Sequence, residues 1–238
     1  MMTRFLVFIF ALWIDVQTVL ADQRKVALEL VLAIDTSSSV DAEAFELQRQ
    51  GIAEAFQHPD LITVIEGMGQ TGIAVVVVEW SGKGQQQQVT GWSLLNSRLS
   101  SLSFANAVLR SPRRLKGSTD IGSALKFAIN AFENNTFSGN RKVIDVSGDG
   151  RDSGNTSRLQ RDRAISRGIT INGLVIFNDD VGVGAIEEVD LVRQYSNTVI
   201  GGNGAFLMTA KGFDDFRNAI RRKLIREILG TGTAALRR

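Results

Sequence analysis

Two kinds of hydrophobic spacing alternate along the chain. Near-continuous apolar runs at 26–35, 72–80, 142–147 and 169–177 predict strands that are buried on both faces of a sheet. Between and after these runs, apolar residues recur every three or four positions, which predicts helices at 40–57, 94–109, 121–132, 157–167, 184–195 and 213–229. Residues 88–92 are interpreted as a hairpin partner of the second strand at the sheet edge, and 205–209 as a short strand.

This alternation predicts an α/β protein with a mostly parallel central sheet. Crossovers between parallel strands are right-handed, so the helices are expected to cover both faces of the sheet. The chain of 238 residues has only 2 prolines, no internal repeat and no linker, so a single domain is predicted over 22–238, with its core at about 27–229.

Smaller patterns give further expectations about packing. Helix 94–109 is expected to place Leu95, Leu99, Leu102 and Ala105 or Asn106 on one stripe. In the last helix a stripe repeats every four residues and predicts a docked face with basic residues beside it: Phe216, Ile220, Leu224 and Ile228. The four glutamines at 85–88 are interpreted as an exposed turn, and Asp145 as a structural carboxylate paired with a Lys or Arg, or as a neighbour of a binding site.

The first 21 residues have the pattern of a secretory signal. Arg4 precedes an apolar run at 5–14, and cleavage is predicted after Ala21. This run is too short for a bilayer span, which takes about 20 residues. The sequence therefore predicts a periplasmic or secreted bacterial protein with no stable membrane span after cleavage. A membrane anchor or a buried amino-terminal helix is the alternative.

Composition narrows the possible chemistry. The chain has no cysteine and one histidine, His58, so thiol catalysis, disulfides and multi-histidine metal sites are excluded. His58 precedes Pro59 and is interpreted as an exposed loop residue at a helix end. A net charge of +2 gives no support for nucleic-acid binding. Any metal held by this chain alone must therefore be bound mainly by oxygen.

Carboxylates and hydroxyls follow the predicted strands. Asp35, Ser37 and Ser39 come directly after the first strand, Thr119 precedes helix 121–132, and Asp149 follows strand 142–147. Ligands of open α/β sheets bind beyond the carboxyl ends of the strands, where the strand order reverses. These three loops are therefore the candidate site.

The same residues resemble a known family. Asp35, Ser37 and Ser39 match the D-x-S-x-S signature of von Willebrand factor type A domains, Thr119 resembles the threonine of its second loop, and Asp149 resembles the aspartate of its T-D-G or S-D-G turn. Here Gly148 stands directly before Asp149, which departs from that turn. The resemblance covers about 27–229 and is closest to exported bacterial members of unknown function. It implies a three-layer Rossmann-like fold of strand order 3-2-1-4-5-6 with one antiparallel edge strand.

The resemblance also implies a function. Family members hold a divalent ion at this position in a metal-ion-dependent adhesion site, and a partner protein adds an acidic side chain to the ion. Asp35, Ser37, Ser39, Thr119 and Asp149 would then bind Mg²⁺, or Mn²⁺ or Ca²⁺, all of which accept oxygen ligands. The expectation is a non-catalytic interaction protein rather than an enzyme.

Other interpretations of these residues stay open. Ser39 or Asp41 could cap helix 40–57, Thr119 or Asp120 could cap helix 121–132, and Asp149 could serve only the turn. A metal-dependent hydrolase, or a domain whose ion only stabilises its loops, are the alternative functions. The acidic segment 178–180 is interpreted as a solvated loop, although it could also rim the site or bind a second ion.

Overall fold

The computed structural model describes residues 23–177 and 185–230. Within those ranges the strands are β1 (Arg24–Asp35), β2 (Ile73–Trp80), β3 (Gln86–Gln88), β4 (Ser93–Leu95), β5 (Phe137–Gly148), β6 (Ile169–Phe177) and β7 (Leu207–Lys211). The helices are α1 (Ala42–Gln57), α2 (Pro59–Gly67), α3 (Arg98–Arg110), α4 (Ile121–Ala131), α5 (Ser157–Ser166), α6 (Ala185–Gln194) and α7 (Gly212–Leu229). A 3-10 turn, Gly69–Thr71, precedes β2, and a π-helical turn, Tyr195–Val199, follows α6. The predicted signal segment and 178–180 lie outside the described residues.

The strands form one sheet of order β3-β2-β1-β5-β6-β7. β1 is central and pairs in parallel with β2 on one side and β5 on the other. The two short strands β3 and β4 both pair antiparallel with β2 and share the sheet edge. Apart from β4, which shifts the numbering, this is the predicted order, and the predicted α/β fold class is confirmed.

The core has two halves, one on each face of the sheet. Alternate β1 residues divide between them: Leu30 and Leu32 pack with α1, α3 and α7, while Val31 and Ala33 pack with α4. These strand residues are at most 1% exposed. A strand covered on both faces needs apolar residues at successive positions, which explains the unbroken apolar run in the sequence.

Several predicted boundaries are wrong. Residues 93–95 form β4, and α3 begins at Arg98 behind a Ser97 cap. Leu99 of the predicted stripe has 75% of its surface exposed, whereas Ala105 of that stripe is buried together with Phe104 and Val108. The glutamines 86–88 form β3 rather than a turn, because they pair with the end of β2.

Helix α2 was not predicted. Pro59 is its first residue, a position where the missing amide of proline costs nothing. His58 is partly buried between α1 and α2, and its Nδ1 accepts a hydrogen bond of 3.2 Å from the Asp60 amide. The histidine thus caps a helix instead of lying in an exposed loop.

Helix α7 docks through the predicted stripe, and its four apolar residues are at most 2% exposed. Beside the stripe, the fully buried Lys223 ammonium lies 2.5 Å from Asp145 and 2.8 Å from Glu227. Asn172 donates to Glu227 at 2.9 Å. The expectation that Asp145 pairs with a cationic side chain is confirmed. Of the helices that the structure describes, none is both long enough and apolar enough to cross a bilayer.

Candidate metal centre

The site lies at the carboxyl ends of the two central strands. Ile34 of β1 is in register with Ser147 of β5, so the chain leaves the sheet at neighbouring points after each strand. Asp35 ends β1, and Asp149 follows β5 directly. The parallel pairing therefore brings together two carboxylates that are far apart in sequence.

Hydroxyl groups connect these carboxylates. The Ser37 amide donates to Asp35 Oδ1 at 2.7 Å, and the hydroxyls of Ser37 and Ser39 lie 3.1 Å apart. Ser39 Oγ then donates to Asp149 Oδ1 at 2.7 Å. Asp35, Ser37, Ser39 and Asp149 are thus linked in one hydrogen-bond network across two loops, through the Ser37 amide and the two serine hydroxyls.

Thr119 joins from the second loop, which precedes α4. A Cβ placed on Gly150 would lie 3.0 Å from Thr119 Oγ1, so the threonine hydroxyl is close to the residue after Asp149. The Ser153 amide donates to the Thr119 carbonyl at 2.9 Å. Further backbone bonds hold this loop: Ser38 donates to Gly117 at 2.7 Å, and Asp120 donates to Ser81 at 3.0 Å.

The helices α1 and α4 are capped by Asp41 and Asp120, which lie close in sequence to the predicted metal ligands Ser39 and Thr119. Asp41 accepts from the Ala44 amide at 2.8 Å and caps α1, and Asp120 accepts from the Ser123 amide at 2.8 Å and caps α4. The Ser39 hydroxyl turns instead toward Asp149. The side chains at 41 and 120 therefore meet the needs of the helix ends and leave the hydroxyls at 39 and 119 to the site.

Burial makes the ionised form of the Asp35 side chain energetically unfavourable. Its side chain is fully buried, and desolvation, followed by the negative charge of Asp149, raises its pKa to about 7. Hydrogen bonds from Ser37 and from the backbone of Asp149 offset only part of that rise. A cation between the two loops would relieve both causes at once.

The carboxylate and hydroxyl oxygens of these residues are suitable ligands for a hard divalent ion. Asp35 Oδ2 is buried and has no hydrogen-bond partner among the described residues, so this carboxylate can still accept a further partner. Two carboxylates balance a divalent charge, and the hydroxyls of Ser37, Ser39 and Thr119 would add neutral oxygens. Across the described ranges, no three Asp, Glu, His or Cys residues cluster as a metal site.

The structure adds residues that the sequence did not indicate. Arg113 donates from one guanidinium nitrogen to the carbonyls of Thr36 at 2.8 Å and Ser37 at 3.1 Å, and so holds the first loop. Gln48 donates to the Asp35 carbonyl at 3.0 Å. Arg113 and Gln48 do not belong to the strand-end motifs. They are connected with the site only by their proximity in the folded structure.

Tyr195 is the other unexpected residue. It is fully buried, and its pKa is raised well above the usual value, first by burial and then by the charges of Asp35, Asp149 and Asp152. The hydroxyl therefore keeps its proton. The one sequence signal was indirect, because Gly148 replaces the side chain expected before Asp149.

The sheet order and the strand-end loops together define a von Willebrand factor type A fold. Similar solved structures include proximal thread matrix protein 1 from the mussel byssus with a zinc-occupied MIDAS motif, at 16% identity over 87% of this chain and 46% of that chain, with a TM-score of 0.57. A von Willebrand factor type A protein from Catenulispora acidiphila has 17% identity over 85% of this chain and 43% of that chain, with a TM-score of 0.56.

A third similar structure is the pilus adhesin SpaC from Lactobacillus rhamnosus GG, with 16% identity over 88% of this chain, 31% of that chain and a TM-score of 0.59. The chain thus spans less than half the length of each of these three proteins, and the likeness concerns the fold. The chain belongs to the family described as protein of unknown function (DUF1194), whose family model matches residues 25–232. A search of curated protein sequences found no match.

Proposed function

We propose that this protein is an exported, non-catalytic module that binds a protein ligand through a divalent metal ion. Asp35, Ser37, Ser39, Thr119 and Asp149 would hold the ion, with Mg²⁺ as the first choice and Mn²⁺ or Ca²⁺ as alternatives. The partner would supply an acidic side chain to the ion. The signal sequence predicted at 1–21 supports export to the periplasm or the medium.

One observation carries the proposal most directly. The 2.7 Å bond from Ser39 to Asp149 joins two loops, and the buried, partly unsatisfied Asp35 carboxylate lies beside it. Such an arrangement is expensive in a protein interior unless a cation compensates it. The similar mussel protein has a zinc-occupied MIDAS motif, and the similar pilus protein is an adhesin, which supports the same kind of site here.

Calorimetric titration of Mg²⁺ and Mn²⁺ into the mature protein, residues 22–238, tests the metal site. We expect saturable binding at millimolar concentration in the wild type and none in Asp35→Ala or Asp149→Ala. Asp162→Ala is the matched control, because this aspartate is 57% exposed on α5. A wild type that binds neither ion would contradict the proposal.

Capture from periplasmic extract, with and without chelator, then tests the binding function. A partner retained only with metal, and lost in Asp35→Ala, would support adhesion. Hydrolysis of a generic phosphoester that depends on metal and on Asp35 would instead favour the hydrolase. Metal binding with no captured partner would favour the alternative in which the ion only stabilises the loops.

A further inference from the structure

The third loop lacks a side chain where related loops carry a hydroxyl. The turn that this loop resembles reads T-D-G or S-D-G, whereas here Gly148 precedes Asp149. The structure explains the glycine. A Cβ at position 148 would lie 2.6 Å from Tyr195 Oη, closer than real Cβ atoms approach, and in a tight contact of 3.0 Å with Asp35 Oδ2.

Tyr195 therefore fills the space that a side chain at 148 would need. It is the first residue of the π-helical turn Tyr195–Val199, so it reaches the site from a different part of the chain. The Trp80 ring lies on the same side, 3.3 Å from the Cβ position. The hydroxyl that is missing from the turn is thus matched by a hydroxyl placed next to it in space.

Two unsatisfied polar atoms face this point. Tyr195 Oη and Asp35 Oδ2 are both buried, and neither has a hydrogen-bond partner within the ranges that the structure describes. One is a donor and the other an acceptor. Both atoms lie within 3.0 Å of one point but do not bond directly, so a rotation of either side chain, or one bridging water, would join them.

We propose that Tyr195 is a positioning residue of the metal site, whose hydroxyl donates to Asp35 Oδ2 and replaces the hydroxyl missing at position 148. This inference rests on the proposed metal-binding function. The bond would fix the orientation of the Asp35 carboxylate, so that its other oxygen is presented to the ion. Groups that orient metal ligands in this way typically change affinity by about 10- to 100-fold when they are removed.

Tyr195→Phe removes the hydroxyl and keeps the ring. We expect Mg²⁺ affinity, measured by calorimetry, to fall about 10-fold or more. Tyr195 is the only tyrosine of the chain, so the difference between the near-ultraviolet spectra of the wild type and Tyr195→Phe separates its band from the tryptophan absorption. That band is expected to shift when Mg²⁺ is added to the wild type, a change that a merely structural role would not produce.

Rescue from position 148 separates positioning from packing. Gly148→Ser alone is expected to weaken Mg²⁺ binding, because its Cβ would collide with the tyrosine hydroxyl. In the Tyr195→Phe background, Gly148→Ser restores a hydroxyl and should recover affinity toward the wild-type value, whereas Gly148→Ala should not.

The outcomes are distinct. If the wild type binds Mg²⁺ but Tyr195→Phe binds it equally well, the role of Tyr195 is overturned and the metal site stands. The same holds if Mg²⁺ binds without shifting the tyrosine band. A wild type that binds no Mg²⁺ would overturn both proposals. Weaker binding in Tyr195→Phe, rescued by serine and not by alanine at 148, would support them.

Discussion

At the scale of single residues, the buried Asp35 carboxylate of the candidate site lowers the stability of the fold. Its pKa is about 7 in the folded protein and 3.8 in an unfolded chain, because burial and the Asp149 charge disfavour ionisation. Between these values the folded state holds a proton that the unfolded state has lost. The unfolding free energy of the metal-free protein therefore falls as pH rises toward 7. The loss is complete once the pH is above the folded pKa of Asp35.

Asp35→Asn should consequently have opposite effects on stability and binding. At about pH 8 we expect the unfolding free energy of metal-free protein to rise by about 1–3 kcal/mol, because a buried charge is removed. The asparagine oxygen can still accept from the Ser37 amide. Mg²⁺ binding should be lost. Denaturant unfolding with chelator measures the first effect, and calorimetry the second; a variant that is less stable than the wild type would contradict this account.

At the scale of secondary-structure elements, the buried charges of α7 decide how firmly that helix docks. Lys223 neutralises Asp145 and contacts Glu227, whose pKa is raised to about 8, first by burial and then by the charge of Asp145. Glu227 is thus mainly protonated at neutral pH. Lys223 therefore serves chiefly as the counter-charge of Asp145, 2.5 Å away.

Lys223→Met leaves Asp145 buried without its counter-charge. We expect the unfolding free energy to fall by about 3–5 kcal/mol. Arg222→Met, one position earlier on the exposed side of α7, is the control and should change stability by no more than about 0.5 kcal/mol. Equal losses in the two variants, measured by denaturant unfolding, would show that the buried cluster contributes nothing specific.

Elements buried on both faces could be predicted from sequence because apolar residues dominate their length, as in β6, whose bounds are those predicted. The bounds of short edge elements could not: the hairpin partner of β2 was predicted at 88–92, whereas pairing with β2 places β3 at Gln86–Gln88. The site divides in the same way. Asp35 and Asp149 follow strands and were found by position, whereas Tyr195 and Arg113 contact the site only through the three-dimensional packing.

At the scale of the whole molecule, two raised carboxyl pKa values give the fold a net pH dependence. The pKa values of Asp35 and Glu227 in the folded protein are about 7 and about 8, so both carboxyl groups take up a proton when the chain folds at a pH just below these values. Each contributes stability that is complete below its unfolded pKa and is lost as pH rises through the folded one. The metal-free protein should therefore lose stability from these groups between about pH 5 and pH 8.

The variant Asp35→Asn combined with Glu227→Gln tests this dependence. The difference in melting temperature between about pH 5.5 and pH 8 should be smaller in the variant than in the wild type. Saturating Mg²⁺ should recover the Asp35 share in the wild type at the higher pH, because ion binding to the folded state adds stability by mass action. Parallel melting profiles for both proteins, measured with chelator, would contradict this expectation.

The backbone bonds between the three loops have one more consequence. The amides of Ser38, Asp120 and Ser153 each donate to a carbonyl in another loop. Such amides exchange their hydrogens with solvent only when the loops separate. They should therefore be protected in chelator-treated protein almost as well as in protein with Mg²⁺. Rapid exchange that slows only when an ion is added would instead mean that the ion itself assembles this end of the sheet.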